Sequence, residues 1–532
     1  MKKLIGLDIG TTNLKAEVYD IDGRFLDNVT SPCKIYFGAD NLAEQDAKDW
    51  ENKSIEILNS LFEKYTDIAA VGLSTQGGTM VPVDSSYEPL RRAFTWMDGR
   101  GAIEKEELLR KLSIDDIYNI TGWKLQSILP LLQSLWLKKN ESANFNNTHK
   151  FLFVADYIQQ KLCGKSVADF SNASITMLFD VIKKDWSQEL LNISGIGRSR
   201  LSATGPSDSV IGFFTNKSLN PGSKNTVLSG SGHDQYCVAL SASAEQENRQ
   251  ERKQESRQEL RQENRQELNQ ASKHESKQEL NQENKKGNKL LLSTGTSWTI
   301  FKSTPKPYFN KYYYSPGVHV IPEKYGLIAI VPTGGTAFNW FLSNFFNTDN
   351  ERTDFIKSAE NSYPDLASEK NKTIFVPLFN GIFGPVWNNN ISGCLENLTF
   401  DTDRLKIYKA VLEGIAFQFK WIAQSLKEID ISFEGIKIIG GAAKSAIQCK
   451  ILADITGEKV FRPKNLNLNY ACRGAAMLAG VSAGIHKDFE QAAQVFKEEE
   501  ETIYPNPLMK DYYEEKFSCY IDRVTGKIEK SL

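Results

Sequence analysis

An aspartate at a glycine-punctuated strand end is the group in this chain with the most chemistry to offer. Residues 227–240 read Val-Leu-Ser-Gly-Ser-Gly-His-Asp-Gln-Tyr-Cys-Val-Ala-Leu: a short apolar strand, broken at Gly230 and Gly232, that resumes as an apolar-rich helical run. Glycine lets the backbone turn sharply and lets a ligand come close. Asp234 falls at the start of the helix, where free N–H groups and the helix dipole favour an ionised carboxylate. Such a group can act as a base, hold a metal, or merely cap the helix. Two hydroxyl-rich turns supply complementary chemistry. Residues 4–20 read as strand, turn (Asp8-Ile9-Gly10-Thr11-Thr12-Asn13) and strand, and residues 289–302 repeat the pattern around Thr294-Gly295-Thr296-Ser297. A strand turn lined with hydroxyls makes a pocket of N–H and O–H donors suited to phosphate, and it is equally the form of an ordinary hairpin. One such turn at the head of each half suggests a duplicated architecture that grips a phosphate between its halves.

The elements that must position these groups follow from periodicity. A third strand is expected near 24–30, and a helix over 50–65 with Ile55, Leu58 and Phe62 on one face. Strand pattern returns over 68–83 around Ser74-Thr75-Gln76-Gly77-Gly78-Thr79, and helix and strand alternate from there to about 240, which argues an α/β domain. In the second half, an apolar strand at 327–331 runs into Gly334-Gly335-Thr336 and an aromatic helix with Phe338, Trp340 and Phe341. A further strand at 436–439 runs into Gly440-Gly441-Ala442-Ala443 and a helix bearing Ser445, Gln448 and Asp454. Paired glycines between strand and helix can seat a nucleotide against backbone, or simply let the helix pack tightly on its sheet. Residues 471–483 form a helix of small side chains, a sign of close packing.

At 532 residues the chain has room for two or three domains with large cores. A net charge of -2 gives no basic field for nucleic acid or a membrane surface. Asp8 interrupts the N-terminal apolar run too early for a signal peptide, and no stretch approaches the roughly 18 apolar residues of a membrane span. Seven scattered cysteines without a Cys-x-x-Cys pair, and five histidines outside metal-ligand spacing, fit a reduced cytoplasmic protein. Residues 245–288 are of another kind. Glutamate recurs every fourth residue and apolar residues are nearly absent; ten glutamates balance ten Lys and Arg. That pattern stacks like charges at i,i+4, so a solvated insertion is expected, partly helical or flexible, with a partner- or RNA-binding arm as the other reading.

Taken in order, these motifs resemble the FGGY family of carbohydrate kinases, within the actin/hexokinase/Hsp70 superfamily. Asp8–Thr12 resembles its first phosphate loop and Ser293–Ser297 its second; Gly440-Gly441 with Ser445 and Gln448 resembles its adenosine motif. Trp96-Met97-Asp98-Gly99-Arg100 is similar to the Trp-Asn-Asp-Gly-Arg stretch of xylulokinases, and Gly232-His233-Asp234-Gln235 to the catalytic segment, written Gly-His-Asp in fuculokinases as well. Residues 393–413 fit the C-terminal signature apart from Asn397 and Lys406, and the signature at 130–136 carries Gln133 in place of the usual lysine. Where glycerol kinases place Arg-Glu and xylulokinases Met-His, this chain has Gly77-Gly78.

The resemblance implies an α/β fold of two ribonuclease-H-like, actin-like ATPase domains flanking an active-site cleft. Residues 1–242 would form the sugar-binding domain, 243–288 a charged insertion, and 289–532 the nucleotide-binding domain with a C-terminal helical tail. It implies ATP-dependent phosphorylation of a sugar hydroxyl, with Asp234 as general base and Mg²⁺ held by Asp8. Thr11, Thr12, Lys15, Thr296, Gly334, Gly335, Gly440, Gly441 and Ser445 would bind ATP. Gln76, Trp96, Asp98, Arg100 and Gln235 would contact the sugar, although Trp96 could be plain core and Asp98–Arg100 a structural ion pair. His233 reads as a turn residue. A free aspartate, with a pKa of about 3.9, would already be ionised at pH 7. The Gly77-Gly78 pair predicts a roomier, less charged pocket floor and an acceptor of about five to seven carbons, with glycerol a poor substrate. The partner would be a small sugar or sugar derivative, without nucleic acid or membrane, and a homodimer is one assembly open to the chain. Two other classes compete: an actin- or Hsp70-like ATPase without a small substrate, and a catalytically inactive scaffold. Trp96–Arg100 beside a Gly-His-Asp turn disfavours the first, and intact Asp8 and Asp234 disfavour the second.

Overall fold

Two mixed sheets of matching plan carry the two hydroxyl-rich turns. The structure, a computed structural model, describes residues 2–243 and 289–531 apart from 364, 380 and 389. The expected insertion at 243–288 therefore lies, beyond its first residue, outside the described residues. In the N-terminal half the elements that bear on the site are β1 (Lys3–Ile9), β2 (Asn13–Asp20), β3 (Phe25–Pro32), α1 (Ala47–Lys64), β4 (Ile68–Thr75), α2 (Phe170–Ser174), β5 (Val210–Phe213), β6 (Val227–His233) and α3 (Asp234–Ala242). Their sheet runs β5-β6-β4-β1-β2-β3, with β1, β4 and β6 parallel. In the C-terminal half they are β7 (Leu290–Thr294), β8 (Trp298–Thr304), β9 (Ser315–Val318), β10 (Tyr325–Val331), α4 (Gly334–Phe345), α5 (Arg404–Glu428), β11 (Ile436–Gly440), α6 (Ala446–Thr456), β12 (Val460–Pro463), α7 (Tyr470–Ser482), β13 (Glu500–Ile503) and α8 (Lys510–Ser531). That sheet runs β9-β10-β8-β7-β11-β12-β13, with β7, β11 and β12 parallel. In each half an antiparallel run, of three strands in the first and four in the second, meets a parallel group at the strand that leads into the hydroxyl turn. This is the duplication that the two turns announced.

Most local expectations hold with small shifts at the ends. α1 starts three residues early because Asp46 caps it, accepting from the Lys48 N–H, and it buries Trp50, Ile57, Leu58, Leu61 and Phe62. The strand pattern at 68–83 divides: β4 belongs to the main sheet, whereas Met80–Val83 pairs in a separate five-stranded sheet. The C-terminal helix α8 is more than a tail, because Tyr513, Phe517, Tyr520 and Val524 pack into the core of the second half.

The halves are joined by exchange of helices. α7 belongs in sequence to the second half but lies on the sheet of the first. A Cβ at Gly6 or Gly72 would collide with the Cys472 or Ala475 carbonyl, so the sheet and helix backbones touch. This is why α7 is built of small residues. α3 packs against α7, and together with Leu4, Tyr19, Leu291 and Phe301 they form an apolar cluster shared by both halves. The chain on either side of the insertion returns to one place. Lys437 Nζ donates to the Ala242 carbonyl (2.6 Å) and pairs with Glu500 (2.8 Å), whose other oxygen takes Lys289 (2.6 Å).

Candidate active site

The register of three parallel strands brings two carboxylates to the same end of the sheet, with β4 between them. Asp8 on β1 stands opposite Ser74 on β4, and Ser74 stands opposite Gly232 on β6, two residues before Asp234. Asp8 is buried, with Ser74 Oγ donating to its Oδ1 at 2.7 Å. Burial pushes its carboxyl up to about 7, and the nearby Asp234 charge adds to this, against the Ser74 hydrogen bond and the Lys15 charge. Asp234 is the first residue of α3, and its Oδ1 accepts from the Gln235 N–H at 2.6 Å. Its side chain keeps 31% of its surface open, yet the walls around it raise its carboxyl to about 6, above the free value expected from sequence. It remains mostly ionised at pH 7. Gln235 follows it, half-buried, in the same helical turn.

His233 is the N-cap of α3, its Nδ1 accepting from the Gln235 N–H at 3.3 Å. Burial lowers its pKa to about 4, despite the charge of Asp169, so the ring is neutral near pH 7 and acts as the expected turn residue. It also corrects the expectation of a roomy pocket floor. A Cβ on Gly77 would run into His233 Cδ2 and Nε2 and crowd Ile175, so the histidine ring occupies the space that a side chain at 77 would take. Gly78 has φ +68, a backbone conformation that strains any L side chain, and its missing Cβ faces Leu129 and Trp96. The two glycines are there for ring contact and backbone geometry, and the neighbouring side chains fill the gap.

Around them runs a hydrogen-bonded chain. Trp96 Nε1 donates to Thr11 Oγ1 (2.9 Å), Thr11 Oγ1 to Gln76 Oε1 (3.0 Å), and Gln76 Nε2 to Gln45 Oε1 (2.8 Å). Thr11, read from sequence as an ATP contact, therefore links the phosphate turn to the expected sugar contacts. Gln45, fully buried in a short strand, was not anticipated, since nothing in its spacing marks it. Asp98 and Arg100 form the closed ion pair rather than a free acceptor contact. Arg100 Nε and Nη2 reach the two Asp98 oxygens at 2.9 and 2.7 Å, Asp98 also accepts from the Ala43 N–H, and Arg100 pairs with Glu44. Both Asp98 oxygens and the Nε and Nη2 donors of Arg100 are thus engaged within the protein, so a small polyol would not leave these groups unpaired.

In the second half three strand ends converge. Thr294 Oγ1 donates to the Ile439 carbonyl (2.5 Å) and accepts from the Ala442 N–H (2.9 Å), and the Gly441 N–H donates to the Thr294 carbonyl (2.8 Å). The Gly335 and Thr336 N–H groups donate to the carbonyls of Gly295 and Thr296. The glycine-rich ends of β10 and β11 thus meet the turn at Thr294–Thr296, with Gly335 on Gly295 and Gly440-Gly441 on Thr294; Thr296 is exposed at the turn, as Thr12 is at the other. A cavity of about 510 Å³ spans the two halves, lined by Lys15, Glu17, Ser293, Gly440, Gly441 and Asn469 among others. Ser445 stands slightly apart. It caps α6, accepting from the Gln448 N–H, and its hydroxyl donates to Glu360.

Two facing α/β lobes of matched plan, with paired carboxylates on one and donor-rich turns on both, define the actin-like ATPase fold in its sugar-kinase form. The chain belongs to the FGGY family of carbohydrate kinases: the family's N-terminal domain matches residues 3–241 and its C-terminal domain residues 290–483. Among curated relatives, the xylulose kinase of Staphylococcus xylosus is 24% identical over 530 residues, covering 98% of this chain and 99% of that protein. Glycerol kinase 2 of Thermotoga maritima is 27% identical over 516 residues, covering 93% of each. Among solved structures, the gluconate kinase of Lactobacillus acidophilus superposes with a TM-score of 0.82 at 23% identity, covering 99% of this chain and 98% of that one. The glycerol kinase of Plasmodium falciparum with ADP gives 0.81 at 19%, covering 98% of each. The protein is an ATP-dependent carbohydrate kinase, and the readings as a bare ATPase or an inactive scaffold are not favoured. Among the described residues no helix is long and apolar enough to cross a membrane.

Proposed function

We propose that Asp234 is the general base and that the acceptor hydroxyl is presented to it in the cleft between the lobes. The observation that carries this is the Asp8–Ser74–Gly232 register, which puts an ionised carboxylate at an open helix start beside the phosphate turn. As the hydroxyl oxygen bonds to the γ-phosphorus, Asp234 takes its proton, and the bond to the β-phosphate oxygen breaks to release ADP. Positioning and charge neutralisation do most of the work in such a transfer. Thr12 and Thr296, exposed on the two turns, and Lys15 would supply donors and charge to the phosphates; the gathered glycines would admit the nucleotide to backbone. Asp8 fits a Mg²⁺ site: its buried carboxylate has one hydroxyl partner and an acidic neighbour, so a cation would relieve it. Held there, Mg²⁺ would neutralise charge on the transferring phosphate.

For the acceptor, Gln76, Trp96 and Gln235 remain the contacts, with Thr11 hydrogen-bonded to two of them and buried Gln45 holding Gln76 from behind. The absence at 77–78 of the Arg-Glu pair that glycerol kinases place there supports a sugar or sugar derivative over glycerol. Xylulose and gluconate kinases among the similar proteins agree with an open-chain polyhydroxy acceptor. Scattered reduced-type cysteines support a cytoplasmic setting, and the matched domains support lobes at 1–242 and 289–532. The test is acceptor-dependent ADP release over D-xylulose, D-gluconate, glycerol and other ketoses, polyols and deoxysugars. A larger acceptor should lead in kcat/KM; glycerol ahead of all others would overturn the size assignment, and no acceptor-dependent release would overturn the sugar-kinase mechanism.

A further inference from the structure

The base and the acceptor contacts stand on different strands, and one buried carboxylate outside the cleft holds both. Asp169, at the start of α2, is 1% exposed. Its Oδ1 accepts from Ser171 Oγ at 2.5 Å, and Ser171 Oγ in turn accepts from the His233 N–H at 2.9 Å. Its Oδ2 accepts from Ser231 Oγ at 2.6 Å and from Asn172 Nδ2 at 2.7 Å. The carboxylate thereby grips both sides of Gly232: Ser231 directly, and the His233 amide through Ser171. Asn172 carries the connection on, for its Oδ1 accepts from Thr75 Oγ1 at 3.2 Å, next to Gln76. Gln159 donates to the same Ser231 hydroxyl at 3.1 Å, closing the far side.

We propose that Asp169 is a positioning residue for phosphoryl transfer, aiming the Asp234 turn and the Gln76 turn at one another through Ser171, Ser231 and Asn172. This rests on Asp234 being the base. The geometry gives it more than a capping role. The backbone N–H groups of Ser171 and Asn172 already satisfy what a cap requires, and four side-chain donors converge on the same two oxygens: Ser171 Oγ and Asn172 Nδ2 from the cap itself, and Ser207 Oγ and Ser231 Oγ from elsewhere in the chain. Gly232 between two anchored neighbours is the flexible point that such anchoring restrains. Catalytic groups must be held within about 0.5 Å of productive geometry, and a displacement of about 1 Å can cost about 10²-fold in rate.

The test compares Asp169→Asn, Ser171→Ala and Asp234→Asn with the parent, using the acceptor that the parent turns over fastest in the panel above. Rates are normalised to ATP-binding stoichiometry from calorimetry, so that unfolded protein is not counted. Asp169→Asn should lower kcat by about 10²-fold while leaving the KM for ATP near that of the parent, and Ser171→Ala should do the same more weakly. A crystal structure of Ser171→Ala should show the Asp234 carboxylate moved by more than about 0.5 Å. Parent-like kcat in both variants, or an Asp234 that superposes on the parent, would overturn the inference; should Asp169→Asn prove insoluble, Ser171→Ala decides alone. If Asp234→Asn is inactive while the other two keep parent rates, only the positioning role fails. If Asp234→Asn itself turns over normally, the base and its positioning residue fall together.

Discussion

The β1–β2 turn and the β7–β8 turn are the same device used for different ends. In each, a glycine N–H closes the turn onto a carbonyl across the hairpin at 3.1 Å, from Gly10 to Asn13 and from Gly295 to Ser297. Two residues before that glycine, however, stands Asp8 in the first turn and Ser293 in the second. The first is thus a buried carboxylate beside another carboxylate, and it is linked through Thr11 to Trp96 and Gln76. The second carries no charge and is locked instead to the glycine-rich ends of β10 and β11. Two donor-rich cradles of one plan thus differ at one position, a buried carboxylate in the first lobe and a neutral hydroxyl in the second, and on the proposed mechanism that difference puts the cation site in the first lobe only.

The largest expected effect tests where that chemistry sits. Asp234→Asn should lower kcat by about 10²–10⁴-fold while ATP binding, followed by calorimetry, is retained, because base and nucleotide platform lie on different lobes. Near-parent turnover would reduce Asp234 to a helix cap. Next comes the paired exchange at the two turns. Asp8→Asn should weaken Mg²⁺-dependent activity by about 10–100-fold, whereas Ser293→Ala, which removes no charge, should lower it by less than about tenfold. Equal losses at both positions would erase the asymmetry.

A smaller effect concerns pH. The Asp234 carboxyl is raised to about 6, so lowering the pH through 6 protonates the base, and kcat/KM should fall about tenfold by pH 5. His233, lowered to about 4, is already neutral above that range and should add no limb between pH 5 and 8. A profile flat down to pH 5 would contradict the raised value. The smallest effect belongs to the insertion. With Ala242 and Lys289 held by one Lys437–Glu500 cluster, deleting residues 245–286 should leave melting temperature and turnover near the parent, because shortening a long connection between ends already held together has little entropic consequence. An insoluble product, or intact protein without turnover, would show that the segment contributes to the site.

Much of this site was legible in the chain because its parts are local. A hairpin whose turn donors lie within a few residues, a glycine-flanked aspartate opening a helix, and glycine pairs closing strands need no distant partner to be recognised. Gln45, Ser74 and Asp169 were harder. Asp169 carries a local signal, an Asp-x-Ser-Asn helix cap, but that pattern announces the cap and not the Ser231 and Ser171–His233 bonds that cross to β6. Asp98 and Arg100 show the converse: their types promised a sugar contact, and Glu44 and the Ala43 amide, more than fifty residues upstream, closed them into an ion pair.

The sequence by itself determined the order of the turns, the duplicated α/β plan and the family, and it nominated Asp234 as the base, since each of these rests on motifs that are local in the chain. Only the tertiary structure decided what surrounds them. It placed His233 against Gly77, so that a missing side chain became a ring contact and not an open pocket. It raised Asp234 to about 6 by enclosing it, and it drew α7 of one half onto the sheet of the other. The physical reason is the same in each case: burial, charge proximity and van der Waals contact depend on segments far apart in the chain, and their distances exist only once the sheets have formed.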